Sequence, residues 1–280
     1  TRLNDDVTAI RDLATTEEIW TTAPDGVKSQ SWIMKPAGFD ATKKYPMILE
    51  IHGGPHTNYG ARFSAEMQAY AAAGYVVLYS NPRGSTSYGD KFANLIDKAY
   101  PGCDYDDLMA AVDAAVAKGY VDPQRLFVTG GSGGGVLTAW IVGKTNRFRA
   151  AVVAKPVINW TSFALTSDGA AYYGRYWFGK NTWEEGAQAE YWRRSPLSLV
   201  GNVKTPTMLI TGEQDFRTPI SETEQYYTGL KLNGVDTAMV RVPESSHGMM
   251  DHPSRLVAKS TYILGWFAKH GGVAASAQAK

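Results

Sequence analysis

The sequence predicts an α/β fold in which a doubly wound, mostly parallel sheet follows an N-terminal antiparallel hairpin. From Pro46 onwards, short apolar runs alternate with helical stretches, and strands that are apolar on both faces belong to parallel sheets covered by helices. Before this region, two β-prone runs flank Pro24-Asp25-Gly26. That tripeptide is a turn signal, because glycine tolerates a positive φ.

The elements follow from the same pattern. The hairpin strands are predicted at residues 17–23 and 27–34, and further strands at 47–51, 75–79, 126–129, 150–154, 207–211 and 238–242. Helices are predicted at residues 62–73, 104–118, 134–144, 219–232 and 253–270. Pro219 and Pro253 support two of these helix starts, since a proline in the first turn loses no hydrogen bond. Residues 159–198 are rich in Trp and Tyr, and we expect a helical excursion over the carboxyl edge of the sheet.

The composition excludes several classes of protein. Hydrophobic residues make up 44% and charged residues 20% of the 280 residues, as in a soluble globular domain. Lys and Arg total 28 against 27 for Asp and Glu, so there is no excess of positive charge for a nucleic acid partner. The longest apolar stretches, residues 71–79 and 149–154, are too short to span a membrane. Periplasm and cytoplasm both remain open as compartments.

The strongest local signal is the sequence Thr-Gly-Gly-Ser-Gly-Gly at residues 129–134, between a β-prone run and a helical stretch. A serine on a sharp strand-to-helix turn exposes its hydroxyl, and the nearby glycines let the turn pass close to its neighbours. A flexible linker would not lie between a buried strand and an apolar helix. A phosphate loop would need a lysine beside the serine or a longer glycine frame. Ser132 is therefore the candidate nucleophile.

A serine hydroxyl needs an adjacent base. Of the five histidines, two precede Ser132 and two lie at predicted helix ends. His247 instead follows the predicted strand 238–242, and the carboxyl ends of strands are where open α/β sheets place their sites. The sequence predicts His247 as the base.

The residue that orients the base is expected in the loop after strand 207–211, where Glu213 and Asp215 are both candidates. Asp215 is preferred because its loop leads into the next helix. The order Ser, Asp, His is also the one that α/β-hydrolases use.

The oxyanion donors are expected from backbone N–H groups. His52-Gly53-Gly54-Pro55 follows the predicted strand 47–51, and glycines there let the backbone approach a substrate. Gly54 and Gly133 are the predicted donor pair. His52 is expected to brace this loop or to contact substrate.

Several motifs in this order resemble the catalytic domain of the prolyl oligopeptidase family, and especially its acylaminoacyl-peptidase and dipeptidyl-peptidase-like branch. The motifs are Lys44-Tyr45-Pro46, His52-Gly53-Gly54-Pro55, Asn81-Pro82-Arg83-Gly84-Ser85, Gly130-Gly131-Ser132 with Gly134, Gly212-Glu213-Gln214-Asp215 and Ser246-His247-Gly248. The resemblance extends from Glu17 to Phe267. It implies an α/β-hydrolase fold and a serine peptidase that acts on short peptides through an acyl-enzyme intermediate.

Two positions depart from the family pattern. Family members commonly have Tyr or a similar bulky residue directly after the nucleophile, where this chain has Gly133. The prolyl and dipeptidyl branches place a Tyr hydroxyl at the oxyanion site, where this chain has His52. We therefore expect backbone donors in place of a side-chain donor.

The resemblance also implies a domain organisation. Family members have an N-terminal β-propeller that screens substrate size, and nothing like it precedes Thr1. We expect residues 1–16 to be the connector from an absent N-terminal domain, residues 17–270 to be the catalytic domain and residues 271–280 to be a flexible tail. The expected partners are a peptide or acyl-peptide substrate and this β-propeller domain.

By analogy with the family, the aromatic residues of the excursion form the pocket for the residue before the scissile bond. The predicted substrate-binding residues are His52, Trp160, Tyr172, Tyr173, Trp177 and Arg217. The alternatives are that individual aromatic residues are core and that the arginine braces a loop through an ion pair.

A peptidase is the preferred function, and a carboxylesterase with the same triad is the alternative. A peptide-binding module that has lost catalysis and a structural partner are less favoured, because all three triad residues are present. The chemistry of the triad requires no cofactor or metal ion, and we expect none.

Overall fold

The computed structural model describes residues 3–249 and 251–273. Its strands are β1 (Thr16–Thr22), β2 (Lys28–Met34), β3 (Tyr45–Ile51), β4 (Val76–Asn81), β5 (Val121–Gly131), β6 (Ala150–Ala154), β7 (Thr207–Gly212) and β8 (Thr237–Val242). Within the described residues they form one eight-stranded sheet of order β1-β2-β4-β3-β5-β6-β7-β8. The β1–β2 and β2–β4 pairs are antiparallel, and the other pairs are parallel.

Helices connect the parallel strands. They are α1 (Asp5–Thr8), α2 (Ala65–Ala72), α3 (Asp90–Ala93), α4 (Asp104–Ala117), α5 (Gly133–Lys144), α6 (Trp160–Thr166), α7 (Ala170–Tyr173), α8 (Ala187–Arg194), α9 (Ile220–Leu232) and α10 (Pro253–Lys269). Short 3₁₀ segments lie at Asn94–Ile96 and Pro196–Asn202, and a π-helical turn lies at Gly174–Phe178. None of the helices in the described ranges has the length and apolar composition needed to span a bilayer.

The sheet has a hydrophobic core on each face. In β3, Leu49 packs into the cluster that includes residues of α4, α5 and α9. Its neighbour Ile48 packs into the cluster that includes residues of α2 and α10. Successive side chains of a strand point to opposite faces, and both faces here are covered, which explains why the central strands are continuously apolar.

The predicted fold class is confirmed, and the boundaries differ where local contacts decide them. β5 begins at Val121 because this residue pairs with Tyr45 of β3, ahead of the regular register. α2 begins at Ala65 because the Ser64 side chain caps it by accepting a hydrogen bond from the Met67 N–H.

The ends of the chain are described in part. Within the predicted connector, residues 5–8 form α1, and residues 1 and 2 lie outside the described residues. Val273 donates its N–H to the Tyr75 hydroxyl at 2.9 Å. The rest of the predicted flexible tail, residues 274–280, lies outside the described residues.

Candidate active site

Ser132 lies at the turn between β5 and α5, in a backbone conformation that L residues rarely adopt. Its φ is 59° and its ψ is −119°, and such a conformation costs roughly 1–3 kcal/mol unless the surroundings hold it. The Ser132 N–H donates to the carbonyl of Ala154 at 3.0 Å, and the Ser132 carbonyl accepts from Val136 at 2.9 Å. The turn is therefore fixed on both sides of the serine.

The glycines around Ser132 are required by close backbone contacts. A Cβ atom at Gly130 would lie 2.6 Å from the carbonyl oxygen of Ile51, and one at Gly134 would lie 2.0 Å from the same oxygen. Both distances are shorter than real contacts allow. The glycine spacing in the sequence thus reflects a turn pressed against the end of β3.

The structure brings Ser132, Asp215 and His247 into one line of hydrogen bonds. His247 Nε2 lies 3.0 Å from Ser132 Oγ, and His247 Nδ1 lies 2.8 Å from Asp215 Oδ2. Since an ionised carboxylate only accepts hydrogen bonds, a neutral imidazole facing it carries its proton on Nδ1. Its Nε2 lone pair is then directed at the serine hydroxyl. This arrangement can remove a proton from Ser132.

Asp215 is held more firmly than the competing Glu213. Asp215 is 3% exposed, and its Oδ1 accepts the N–H groups of Arg217 at 3.0 Å and Thr218 at 2.9 Å. Glu213 instead forms a surface ion pair with Arg241 at 3.0 Å. The geometry favours Asp215 as the partner of the histidine.

The predicted oxyanion donors lie beside each other. A Cβ atom at Gly133 would lie 3.1 Å from the carbonyl carbon of Gly54 and 3.2 Å from its nitrogen. Gly133 is the first residue of α5, where N–H groups have no partner within the helix. Gly54 has a φ of 109°, which glycine adopts without strain. The two loops can therefore present backbone N–H groups to one oxygen atom.

His52 is buried beneath this loop. Its Nδ1 lies 2.7 Å from the carbonyl oxygen of Gly53, and its Nε2 lies 2.9 Å from Ser85 Oγ. Burial lowers the pKa of His52 to about 4, so the ring is neutral near pH 7. The Ser85 hydroxyl donates its own proton to the Pro82 carbonyl oxygen at 2.6 Å, so Ser85 joins His52 to the turn that begins at Pro82. Both contacts support the bracing role considered for His52.

A cavity of about 480 Å³ opens next to Ser132 and His247, within the size range of ligand sites. Its wall includes Gly53 and Gly54 of the oxyanion loop, and it extends to polar side chains on the α2 and α10 side of the sheet. Of the six predicted substrate-binding residues, His52 is in this wall, and the other five are not.

No group of three or more His, Cys, Asp or Glu side chains in the described part of the chain is placed to hold a metal ion.

The predicted aromatic pocket lies on the opposite face of the sheet. Trp160 and Trp177 are each 3% exposed and belong to the core cluster of that face. His56 stacks on Trp177 at 5.6 Å between ring centroids, and its Nε2 lies 3.1 Å from the Tyr176 hydroxyl. The buried Trp rings thus fit the core alternative, and a role in substrate binding remains a prediction for them.

The remaining predicted contacts lie nearer the surface. Tyr172 is exposed and stacks on Tyr176 at 4.8 Å, whereas the half-buried Tyr173 packs against Phe163 at 4.6 Å. Arg217 forms an ion pair with Asp168 at 2.5 Å, as the loop-bracing alternative expects.

Three residues with buried or half-buried side-chain contacts were not identified from the sequence. Thr218 Oγ1 lies 3.0 Å from Asp215 Oδ2 and 3.3 Å from His247 Nδ1. Lys155 donates from Nζ to the His247 carbonyl. The buried carboxyl group of Glu222 accepts the N–H groups at 158 and 159. The Thr218 contact follows from its closeness to Asp215 in sequence, but the other two depend on long-range packing.

The chain is similar in sequence to known peptidases. A 42% identical relative over 273 residues is the uncharacterized peptidase YuxL of Bacillus subtilis, with 96% of this chain and 41% of the relative covered. Acylamino-acid-releasing enzyme 1 of Oryza sativa is 34% identical over 235 residues, covering 80% of this chain and 30% of the enzyme. The chain thus spans less than half the length of these curated relatives.

Solved structures of acylaminoacyl peptidases have a similar fold. The acylaminoacyl peptidase of Pyrococcus horikoshii superposes with a TM-score of 0.90 at 25% identity, covering 100% of this chain and 45% of that one. An acylaminoacyl peptidase in complex with Z-Gly-Gly-Phe-chloromethyl ketone has a TM-score of 0.89 at 26% identity, covering 95% and 43%. The model of the prolyl oligopeptidase family matches residues 61–273. Because this match covers most of the chain and the relatives agree with it, the chain belongs to the prolyl oligopeptidase family of serine peptidases.

Proposed function

We propose that this chain is the catalytic domain of a serine peptidase that releases short units from peptides, of the dipeptidyl- or acylaminoacyl-peptidase type. Ser132 is the nucleophile, His247 the general base and Asp215 the residue that orients it. The observation that supports this most directly is the pair of hydrogen bonds at 2.8 and 3.0 Å that join the three side chains.

In the first step, Ser132 Oγ attacks the carbonyl carbon of the scissile bond while His247 Nε2 takes the hydroxyl proton. The imidazolium that forms is stabilised by the Asp215 carboxylate, which keeps the ring in one orientation. The tetrahedral intermediate then collapses, and His247 returns the proton to the leaving amine. The products of this step are the amine and a Ser132 ester.

In the second step, a water molecule hydrolyses the Ser132 ester by the same kind of attack. His247 takes a proton from the water, whose oxygen attacks the ester carbonyl carbon. Collapse of this intermediate releases the carboxylic acid, and the proton passes to Ser132 Oγ. The free enzyme is regenerated without any change in oxidation state.

Both tetrahedral intermediates carry a negatively charged oxygen. We propose that this oxygen binds between the N–H groups of Gly54 and Gly133. The two residues are close, since a Cβ atom built on Gly133 would lie 3.2 Å from the Gly54 nitrogen. One such donor contributes about 3 kcal/mol to transition-state stabilisation. Because the donors are backbone groups, Gly133 can replace a bulky residue after the nucleophile without loss of the donor.

The substrate class comes from the relatives and is part of the proposal. Relatives include acylamino-acid-releasing enzymes and dipeptidyl-peptidase 5 of Porphyromonas gingivalis. The Z-Gly-Gly-Phe-chloromethyl ketone bound to a structural neighbour is a peptide with a bulky aromatic residue. We propose a similar preference here, together with an N-terminal propeller domain, since the relatives are longer.

The test has two parts. A fluorophosphonate probe is expected to label the wild-type chain and to leave Ser132→Ala and His247→Ala unlabelled, because labelling needs an activated serine. Acyl-aminoacyl and free dipeptidyl amides are then compared with acyl esters by kcat/KM. Turnover of the amides supports the peptidase, whereas turnover of esters alone would identify the carboxylesterase. Absence of labelling in the wild type contradicts both.

A further inference from the structure

The cavity beside Ser132 ends in a cluster of charged side chains that the triad chemistry does not use. Glu50 lies on β3, two residues before His52, and Glu66 and Lys259 reach the same cavity from α2 and α10. All of these side chains are buried or nearly so. Burying charges is costly unless they are paired, so each charge in this cluster should have a partner.

Two of the three charges are paired. Lys259 Nζ lies 2.8 Å from Glu66 Oε1, and the Tyr70 hydroxyl donates to the same oxygen at 2.7 Å. Burial acts to lower the pKa of Lys259, but the carboxylates of Glu66 and Glu50 raise it overall. Lys259 is therefore cationic, and its charge is neutralised by Glu66.

Glu50 is the third charged group, and its carboxyl group has a hydrogen bond with Tyr59. It is 6% exposed, and its Oε2 has no hydrogen-bond partner among the described residues. A group of two carboxyls and one ammonium can take up one more positive charge. Burial, reinforced by the Glu66 charge, raises the pKa of Glu50 to about 8, so near pH 7 that positive charge is a proton.

The position of Glu50 connects it to the reaction centre. Glu50 pairs with Thr129 in the parallel register of β3 and β5, and β5 leads directly to Ser132. The same cavity wall includes Glu50, Ser132 and His247. A substrate bound at the serine can therefore extend a side chain or terminal group towards Glu50 without leaving the cavity.

We propose that Glu50, supported by the Glu66–Lys259 pair, is a subsite for a cationic group of the substrate, an ammonium or guanidinium. The inference rests on the proposed peptidase function, because it assigns part of the substrate of that same site. The cationic group replaces the proton on Glu50, supplies the hydrogen bond that Oε2 lacks and leaves the charge balance of the cluster unchanged.

The experiment uses peptide amides that differ at one position, with lysine or the uncharged norleucine, placed in turn on each side of the scissile bond. At one position the wild type is expected to favour lysine at least about tenfold in kcat/KM. Glu50→Gln is expected to reduce this ratio to near unity, since the amide cannot become an anion. The matched control Glu213→Gln, on the surface, should keep the wild-type ratio.

The pH provides a second measurement on the wild type. The groups that face Glu50 are Glu66, Lys259 and Tyr59, and Lys155 and His247 share the cavity. Because a cation must displace the Glu50 proton, the lysine-to-norleucine ratio should rise with pH towards 8. This measurement decides the matter if Glu50→Gln does not fold.

Failure of the subsite and failure of the peptidase function give different results. Turnover without a lysine preference at any position, or a preference that Glu50→Gln leaves intact, overturns the subsite alone. If no peptide is cleaved, the peptidase function is wrong. Calorimetric titration with the same peptides then decides the subsite: tighter binding of the lysine peptide to wild type than to Glu50→Gln supports it, and equal binding overturns it.

Discussion

The ammonium group of Lys155 donates a hydrogen bond to the carbonyl oxygen of His247 at 2.5 Å. Lys155 follows β6 directly, so the bond ties the histidine loop after β8 to the centre of the sheet. Lys155 therefore holds the backbone of His247, whereas Asp215 holds its imidazole ring. Lys155 touches no reacting atom and acts as a positioning residue.

Lys155→Gln is expected to lower kcat by about 10- to 100-fold, because a small displacement of a catalytic group is costly. KM should change much less, since the loop is misplaced rather than lost. Lys155→Arg, which keeps a cationic donor, should restore most of kcat, and the exposed Lys204→Gln serves as the control. Equal losses in the Gln and Arg variants would contradict the role of the hydrogen bond.

Asp215→Asn is expected to reduce kcat by about ten-thousandfold, because the amide favours the wrong imidazole tautomer. The fold should be retained, since Oδ1 can still accept the two backbone N–H groups. Glu213→Gln is the matched control in the same loop and should stay near wild-type rates. Steady-state kinetics with circular dichroism checks both variants. The opposite outcome, damage by Glu213→Gln alone, would show that the wrong acid was assigned.

Gly134→Ala is expected to destabilise the protein by roughly 3 kcal/mol or more, since the new Cβ meets backbone that cannot move aside. The nearest atom is the Ile51 carbonyl oxygen at 2.0 Å. Gly265→Ala is the control, because its Cβ meets nothing within 4 Å and alanine favours a helix by about 1 kcal/mol. Denaturation by urea measures both. Similar free energies of unfolding for the two variants would contradict the packing argument.

The parts of the site that the sequence predicts are those with a local cause. The Ser132 turn is recognisable because its glycines are adjacent in sequence, although the contact that requires them is with Ile51 of β3. Asp215 and His247 are recognisable because each follows a strand. Glu222 was not predicted. Its buried carboxyl accepts the N–H groups at 158 and 159, across more than 60 positions of sequence, and no local pattern indicates such a contact.

The substrate side of the site was less predictable for the same reason. An aromatic-rich segment indicates a hydrophobic cluster, but the sequence does not distinguish a ligand pocket from core, and Trp160 and Trp177 are both buried. The cavity wall at Glu50 was also missed. Glu50 is a single acidic residue in an apolar strand, and its neighbours Glu66 and Lys259 are brought to it only when α2 and α10 pack against the sheet.

That same acid makes stability depend on pH. Burial raises the pKa of Glu50 from 4.5 to about 8 in the folded chain. Between these values the unfolded chain has lost the proton and the folded chain has kept it, so the free energy of unfolding falls by about 1.4 kcal/mol per pH unit. Below pH 4.5 both states are protonated and the penalty vanishes.

Glu50→Gln, which has no proton to lose, is therefore expected to be more stable than wild type, by a margin on the order of a few kcal/mol that grows from pH 5 to pH 8. Urea denaturation at several pH values measures this margin, with the surface variant Glu213→Gln as the control. A margin that stays constant or shrinks as the pH rises would mean that Glu50 is ionised in the folded chain, with a partner other than a proton.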